Sequence, residues 1–316
     1  MVSCKPNTAD IIDLVSVFRD LVNEPRMRRS LAKNQSRWNK LCSAMDLIED
    51  TSMAVRSYSS QSDTSDKGKL YLETYGLLQG LKLRQDAVFD LCDALGSRRS
   101  KGGFPGLDNV RSARVSVAGH PTKKQREGGG PHHLVQMSLR RNSLQIMSAS
   151  ANGPKFTHIR LNDLIHGQEA ELTKILTGVI TDLREAELKH KAQFRGSKLE
   201  AVFPNSLSYS FEKIYEHIQG GPLAGLGVWG VEQVRTTLTE YRRALEARDI
   251  QIDTYDAIKY HYELLAYPLD QLQAYLQGKE SEIPGPPAAE IFAYFIEGHI
   301  DKLRAMAREI DEDFGT

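Results

Sequence analysis

Apolar positions recur every three to four residues over most of the chain, which is the spacing of an amphipathic helix. Over residues 8–23, Ile11, Ile12, Leu14, Val15, Phe18, Leu21 and Val22 share one face, and Asn7 or Thr8 is placed to cap it. Pro25 interrupts this pattern and suits the first turn of a following helix. A second pattern, over 31–58, carries Trp38, Leu41, Cys42, Met45, Ile48 and Val55. A third, over 70–95, carries Leu77, Leu78, Leu81, Val88, Leu91, Cys92 and Leu95, with Gly96 as its left-handed terminator. The polar run 59–67 between them reads as a loop.

The alternation over 132–147 predicts a hairpin turning at Arg141-Asn142, with Leu134, Leu144 and Ile146 on one side. A third short strand is predicted over 155–160, after the turn Asn152-Gly153-Pro154. Helical spacing then returns, capped by Asn162 or Asp163, and runs to about residue 194. Residues 196–206 read as a linker, and helices follow over 208–219, 230–247, 254–267, 268–277 and 287–313. The predicted fold is mainly α: a helical bundle with a small antiparallel β insert (about 132–160) and a helical C-terminal region. The expected division is residues 1–195 and 196–316.

Charge changes the picture locally. The 41 Lys and Arg balance the 41 Asp and Glu, which excludes a wholly cationic coat for nucleic acid or membrane. Yet residues 97–141 hold ten Lys or Arg (Arg98, Arg99, Lys101, Arg111, Arg114, Lys123, Lys124, Arg126, Arg140, Arg141) against Asp108 and Glu127, a local excess of +8. Residues 279–316 hold nine acids against four bases. With a mean hydropathy of −0.43, no run of 18 apolar residues and no apolar leader, the expectation is a cytoplasmic protein that does not enter a membrane. Cys4, Cys42 and Cys92 fit no disulfide framework and no CxxC metal site, as in a reducing compartment.

Most short motifs reduce to structure. Gly225-Leu226-Gly227-Val228-Trp229-Gly230 spells GxGxxG, but a helix precedes it and not a strand, so an interhelical turn is expected in place of a nucleotide fingerprint. Gly128-Gly129-Gly130 lacks the ending and the helix of a phosphate loop. His132 and His133 point to opposite faces of a strand and have no companion ligands. The tyrosines 255, 260, 262, 267 and 275 read as packing with exposed hydroxyls. No metal and no cofactor is implied.

One spacing carries chemistry. Arg114 precedes His120 by six positions in the basic region. Metal-free RNA cleavage needs a proton acceptor for the 2′-OH, which a histidine supplies near neutral pH. It also needs a cation on the scissile phosphate, which an arginine supplies as a bidentate fork. The same spacing occurs at Arg126/His132, Arg160/His166 and Arg184/His190, about what chance gives. Only Arg114 and His120 lie on a short semi-apolar segment able to pack beside the third predicted helix. One histidine holds one protonation state at a time, so two copies in a symmetric dimer would serve as base and acid.

The stretch VRSARVSVAGHPTKK (Val110–Lys124) resembles the Arg-x4–6-His signature of the HEPN superfamily. The preceding segment Tyr71–Leu95, YLETYGLLQGLKLRQDAVFDLCDAL, is similar to the helix before that signature in bacterial members. The resemblance spans about residues 31–194 and leaves the C-terminal third unmatched. It implies a helical bundle that dimerises so that two Arg/His pairs share a cleft, and metal-independent endoribonuclease activity, often in toxin–antitoxin or antiviral defence systems. His120 would then be the general base and acid, and Arg114 the phosphate-binding cation. Arg111, Lys123 and Lys124 would add substrate affinity, and Gln85 and Asp86 would line the cleft. The implied partners are single-stranded or loop RNA, a second copy of the chain, and an antitoxin or sensor protein. Many active members place a polar residue directly after the arginine, whereas this chain has Val115. A non-catalytic RNA- or protein-binding scaffold is therefore the alternative, and a helical interaction protein with a coincidental pair is the third reading.

Overall fold

The structure is a computed structural model that describes residues 10–119, 121, 131–150, 153–221 and 225–315. It is mainly helical, with a small three-stranded antiparallel sheet in mid-chain and a helical C-terminal region. Contacts divide the chain into two compact units, Met1–Arg184 and Glu185–Thr316.

The first unit opens with α1 (Ile11–Asn23), capped by Asp10, whose carboxylate accepts from the Ile12 N–H at 3.0 Å. The caps expected at Asn7 or Thr8 lie outside the described residues. Pro25 sits in the first turn of a separate short helix, α2 (Pro25–Ala32). The pattern expected to run unbroken from 31 therefore begins at α3 (Gln35–Ser60), because the Asn34 side chain accepts from the Arg37 N–H and starts a new helix there. α4 (Lys67–Ala94) is capped by Asp66, which accepts from the Gly68 and Lys69 N–H groups. It ends at Gly96, whose φ of 77° is the left-handed terminator expected from the sequence. Phe18, Leu41, Ile48, Val88, Leu91 and Leu172 form one apolar core among these helices and α6 (Leu161–Ala192).

A second core lies beside it. Val110 and Ala113 of α5 (Pro105–Arg114) pack with Leu77, Leu78 and Leu81 of α4 and with Leu144 and Ile146 of the sheet. The sheet runs β1 (His132–Leu134), β2 (Ser143–Ser150), β3 (Gly153–Arg160) in that spatial order, with His132 opposite Ser148 and Leu144 opposite Ile159. Arg140 pairs with Ser143, so the tight turn falls at Arg141-Asn142 as the alternation predicts. Leu134, Leu144 and Ile146 face the core together. β3 leads straight into α6, and Asn162 and Asp163 sit inside its first turn instead of capping it.

The second unit has its own core of Phe211, Val231, Tyr241, Leu272, Ile296 and Leu303, built from α7 (Leu207–Ile218), α8 (Leu226–Ala247), α9 (Asp256–Glu263), α10 (Ala266–Leu276) and α11 (Pro286–Phe314). The segment expected as a linker is tied down: Leu199 and Phe203 are buried, and Asp311 accepts from the Leu199 and Glu200 N–H groups at 2.7 and 2.9 Å. The GxGxxG stretch is not a turn. Gly227 and Gly230 lie inside α8, and a Cβ on Gly230 would stand 2.5 Å from the Ser210 carbonyl oxygen. These glycines let α7 and α8 approach closely, which is a packing role. The break between α9 and α10 falls at Leu264-Leu265 and not after Tyr267, so Tyr267 and Pro268 belong to α10.

Two imidazoles make this unit acid-sensitive. Burial lowers the pKa of His217 below its usual 6.5, and burial and then His261 lower that of His299. The unfolded chain takes up these protons near pH 6.5 while the folded unit resists them, so their contribution is complete above pH 6.5 and is lost as pH falls below it. A lower urea midpoint for unfolding of this unit at pH 5.5 than at pH 7.5 is expected, with a shallower pH slope in His217→Gln.

Candidate functional site

α5 is set by its first residues. Pro105 occupies the first helical position, where its missing N–H costs nothing. The next two N–H groups, of Gly106 and Leu107, each donate at 3.1 Å to the Glu171 carboxylate of α6. Gly106 also lies against α6 so closely that a Cβ there would stand 2.5 Å from the Gly167 carbonyl oxygen. Glu171→Ala is expected to destabilise the unit by about 1 kcal/mol, the usual value of a helix-terminal carboxylate cap, read as a lowered thermal midpoint. Neither contact was legible in sequence: nothing near Glu171 marks it as a cap for a helix 65 positions earlier.

At the other end of α5 stands Arg114, its last residue. The backbone continues as a π-helical turn, Val115–Gly119, a wide turn that recurs at functional sites. It folds the chain back over Arg114: a Cβ on Gly119 would lie 3.1 Å from Arg114 Nη1 and 3.3 Å from the Arg114 carbonyl oxygen. The chain position next to the guanidinium is thus the one immediately before His120. Arg114 Nε donates to Gln79 Oε1 of α4 at 3.3 Å. Among the described residues no carboxylate pairs with Arg114, so its charge is not neutralised there.

The remaining candidates separate. Arg111, one turn earlier, is half-exposed and pairs with Asp108 at 3.4 Å, a weak surface contact. His120, Lys123 and Lys124 lie outside the described residues. Gln85 does not line a cleft; it is 1% exposed, and its Oε1 stands 3.4 Å from Gln168 Nε2 inside the bundle. Asp86 pairs with Lys82.

The basic region is not one continuous cationic face either. Arg141 is buried under the turn it helps form, donating to the carbonyl oxygens of Ser62 and Tyr58 and stacking on the Tyr58 ring. Arg98 and Arg99 pair with Asp93 and Asp182. A run of like charges in sequence takes no account of the acids that the fold sets beside it.

No group of three or more potential metal ligands occurs among the described residues. His132 is half-buried and His133 exposed, as opposite strand faces require. Among the described residues no helix is long and apolar enough to cross a membrane. Compared with known proteins, the chain matches no family profile, no curated protein and no solved structure.

Proposed function

We propose that the chain is a metal-independent endoribonuclease of HEPN type, acting in the cytoplasm on single-stranded or loop RNA. The observation that carries this reading is the state of Arg114. It is a guanidinium without a carboxylate partner among the described residues, held only by a neutral amide, with the backbone just before His120 folded against it. Arg84 and Arg99, by contrast, end in ion pairs here. An arginine kept free of acids retains its fork for an incoming phosphate.

Unpaired RNA is the substrate class because only a flexible strand can bring the 2′-OH in line with the scissile phosphate. His120 removes that proton, and Arg114 balances the charge that develops on the phosphate. A second copy of the chain supplies the acid that protonates the leaving 5′-oxygen. A role in defence against foreign nucleic acid, held in check by an antitoxin or sensor protein, is part of the same proposal.

Arg114→Ala tests it. Removing the cation is expected to lower kcat/KM for a single-stranded RNA by about 10²–10³-fold, and Arg114→Lys is expected to restore only part, since an ammonium keeps the charge but not the fork. The thermal midpoint should stay the same, because the side chain loses one exposed 3.3 Å bond. Equal turnover by wild type and Arg114→Ala would overturn the assignment, whereas RNA binding with no cleavage by either would leave the scaffold reading.

A further inference from the structure

The two sides of α11 have different surroundings. Ala289, Ala293, Ile296, Ile300 and Leu303 are buried in the core of the second unit. The opposite side carries Pro287, Ile291, Tyr294 and Gly298, all exposed, at a spacing of four, three and four. Ile291 is 68% exposed and Tyr294 75%. We propose that this face is an interface between two copies of the chain, which pack their α11 helices antiparallel over Pro287–Gly298. The proposal does not rest on the nuclease reading, since none of its residues belongs to that site.

The area fits such an interface. Phe295 lies beside the stripe and packs against His299 with ring centres 4.3 Å apart, and His299 meets Tyr260 of α9 at 6.3 Å. Phe292 meets Tyr267 of α10 at 6.3 Å. Tyr260, Tyr267 and Phe295 are themselves exposed, so they widen the patch that Ile291 and Tyr294 begin. Taking about 200 Å² for each whole side chain, these five expose roughly 600 Å². That is the top of the range for a face that a monomer leaves bare, about 300–600 Å². Two such faces together bury roughly 1,200 Å², the lower edge of a specific protein interface, before any polar rim is added.

Charge and shape select a second copy as the occupant. Between Pro286 and Gly298 the charged residues of α11 are Glu290 and Glu297, and both are turned to α7, where they accept from the Gln219 amide at 3.1 Å and the Tyr215 hydroxyl at 2.9 Å. The stripe itself is uncharged, so it offers nothing to a strongly basic or acidic partner and brings no like charges together when it meets its own copy. Its spacing is the seam of paired helices. Laid antiparallel about a two-fold axis, Ile291 of each copy meets Tyr294 of the other, and Pro287 meets Gly298. A Cβ on Gly298 would touch nothing within 4 Å, which leaves room there for the proline ring. The antiparallel arrangement also opposes the two helix dipoles. A parallel one would set Gly298 on Gly298 and leave a gap.

Sedimentation of the full chain over a range of concentrations tests this, with Ile291→Glu and Tyr294→Lys as variants. The wild type is expected to associate reversibly, and each variant alone to associate about thirtyfold or more weakly, because a charge is buried twice at the centre of the seam. Both side chains are exposed, so the far-UV circular dichroism of the variants should match that of the wild type. Mixing the two variants should restore association as a one-to-one pair, since the antiparallel register sets the new Glu of one copy against the new Lys of the other and leaves one Ile291–Tyr294 contact intact. A wild type that stays monomeric at every concentration would overturn the proposal and leave the face to a different protein. Association unchanged in both variants would place any dimer elsewhere and overturn it too, as would a mixture of folded variants that fails to pair.

Discussion

His120→Ala is expected to lower the rate of RNA cleavage by about 10²–10⁴-fold, the span that a positioned general acid–base group contributes. The expectation rests on the proposed nuclease and on what Arg114 can and cannot do. A guanidinium stays protonated through the whole working range, so it can hold the phosphate but cannot take the 2′-OH proton. The chain position next to it, Gly119, immediately precedes in sequence a histidine, the residue type whose ordinary pKa allows both protonation states near neutrality. The wild-type rate should pass through a maximum with pH, as one histidine must be neutral and its counterpart in the dimer charged. In His120→Ala the bell should flatten while RNA still binds, because Arg114 remains. A variant that keeps the wild-type bell would show that another group moves the proton.

The second large effect concerns stability. Arg84 of α4 is 1% exposed, and Nε donates to Gln168 Oε1 of α6 at 3.0 Å, while Nη1 stands 3.5 Å from Glu169. Gln168 is fully buried and donates in turn to the Leu81 carbonyl oxygen at 2.7 Å. Burial lowers the Arg84 pKa and Glu169 pulls it back up, which is the signature of a charge taken out of water with incomplete compensation. Gln168→Leu leaves that charge with one partner, itself half-exposed, and is expected to destabilise the N-terminal unit by about 3 kcal/mol. Arg84→Met removes the charge and keeps most of the volume. The double variant Arg84→Met/Gln168→Leu should therefore be more stable than Gln168→Leu alone, since well-packed apolar groups often replace a buried polar cluster at little cost. Urea denaturation of the four proteins measures this. A double variant less stable than both single ones would mean that Arg84 is held for packing and not strained by its charge.

The long helices and the sheet were legible because their apolar periods are strong: Leu77, Leu78 and Leu81 on one face of α4, and Leu144 and Ile146 alternating in β2, reach the same core. Boundaries failed where a local hydrogen bond decided them. Asn34 starts α3 four residues after the apolar pattern begins, and α6 starts straight from β3, with its Leu161 N–H donating to the Asn142 carbonyl oxygen. Glycine misled in the other direction: Gly227 and Gly230 look like a flexible turn but are the close contact of α8 with α7. Charge read along the chain overstated the basic surface, since the burial of Arg141 depends on Tyr58 and Ser62, some 80 positions earlier. The features that hold α5 in place, Glu171 and the Gly106–Gly167 contact, come from another helix, and no spacing rule reaches that far.

A 5′-labelled single-stranded RNA is incubated with the purified chain in excess EDTA, and the ends of the fragments are identified. Attack by the neighbouring 2′-OH, driven by an imidazole and a guanidinium with no metal, must leave 2′,3′-cyclic phosphate on the upstream fragment and a free 5′-hydroxyl on the downstream one. Cleavage that yields these ends is the predicted result. RNA left intact, or cut only when a divalent ion is restored, would contradict it.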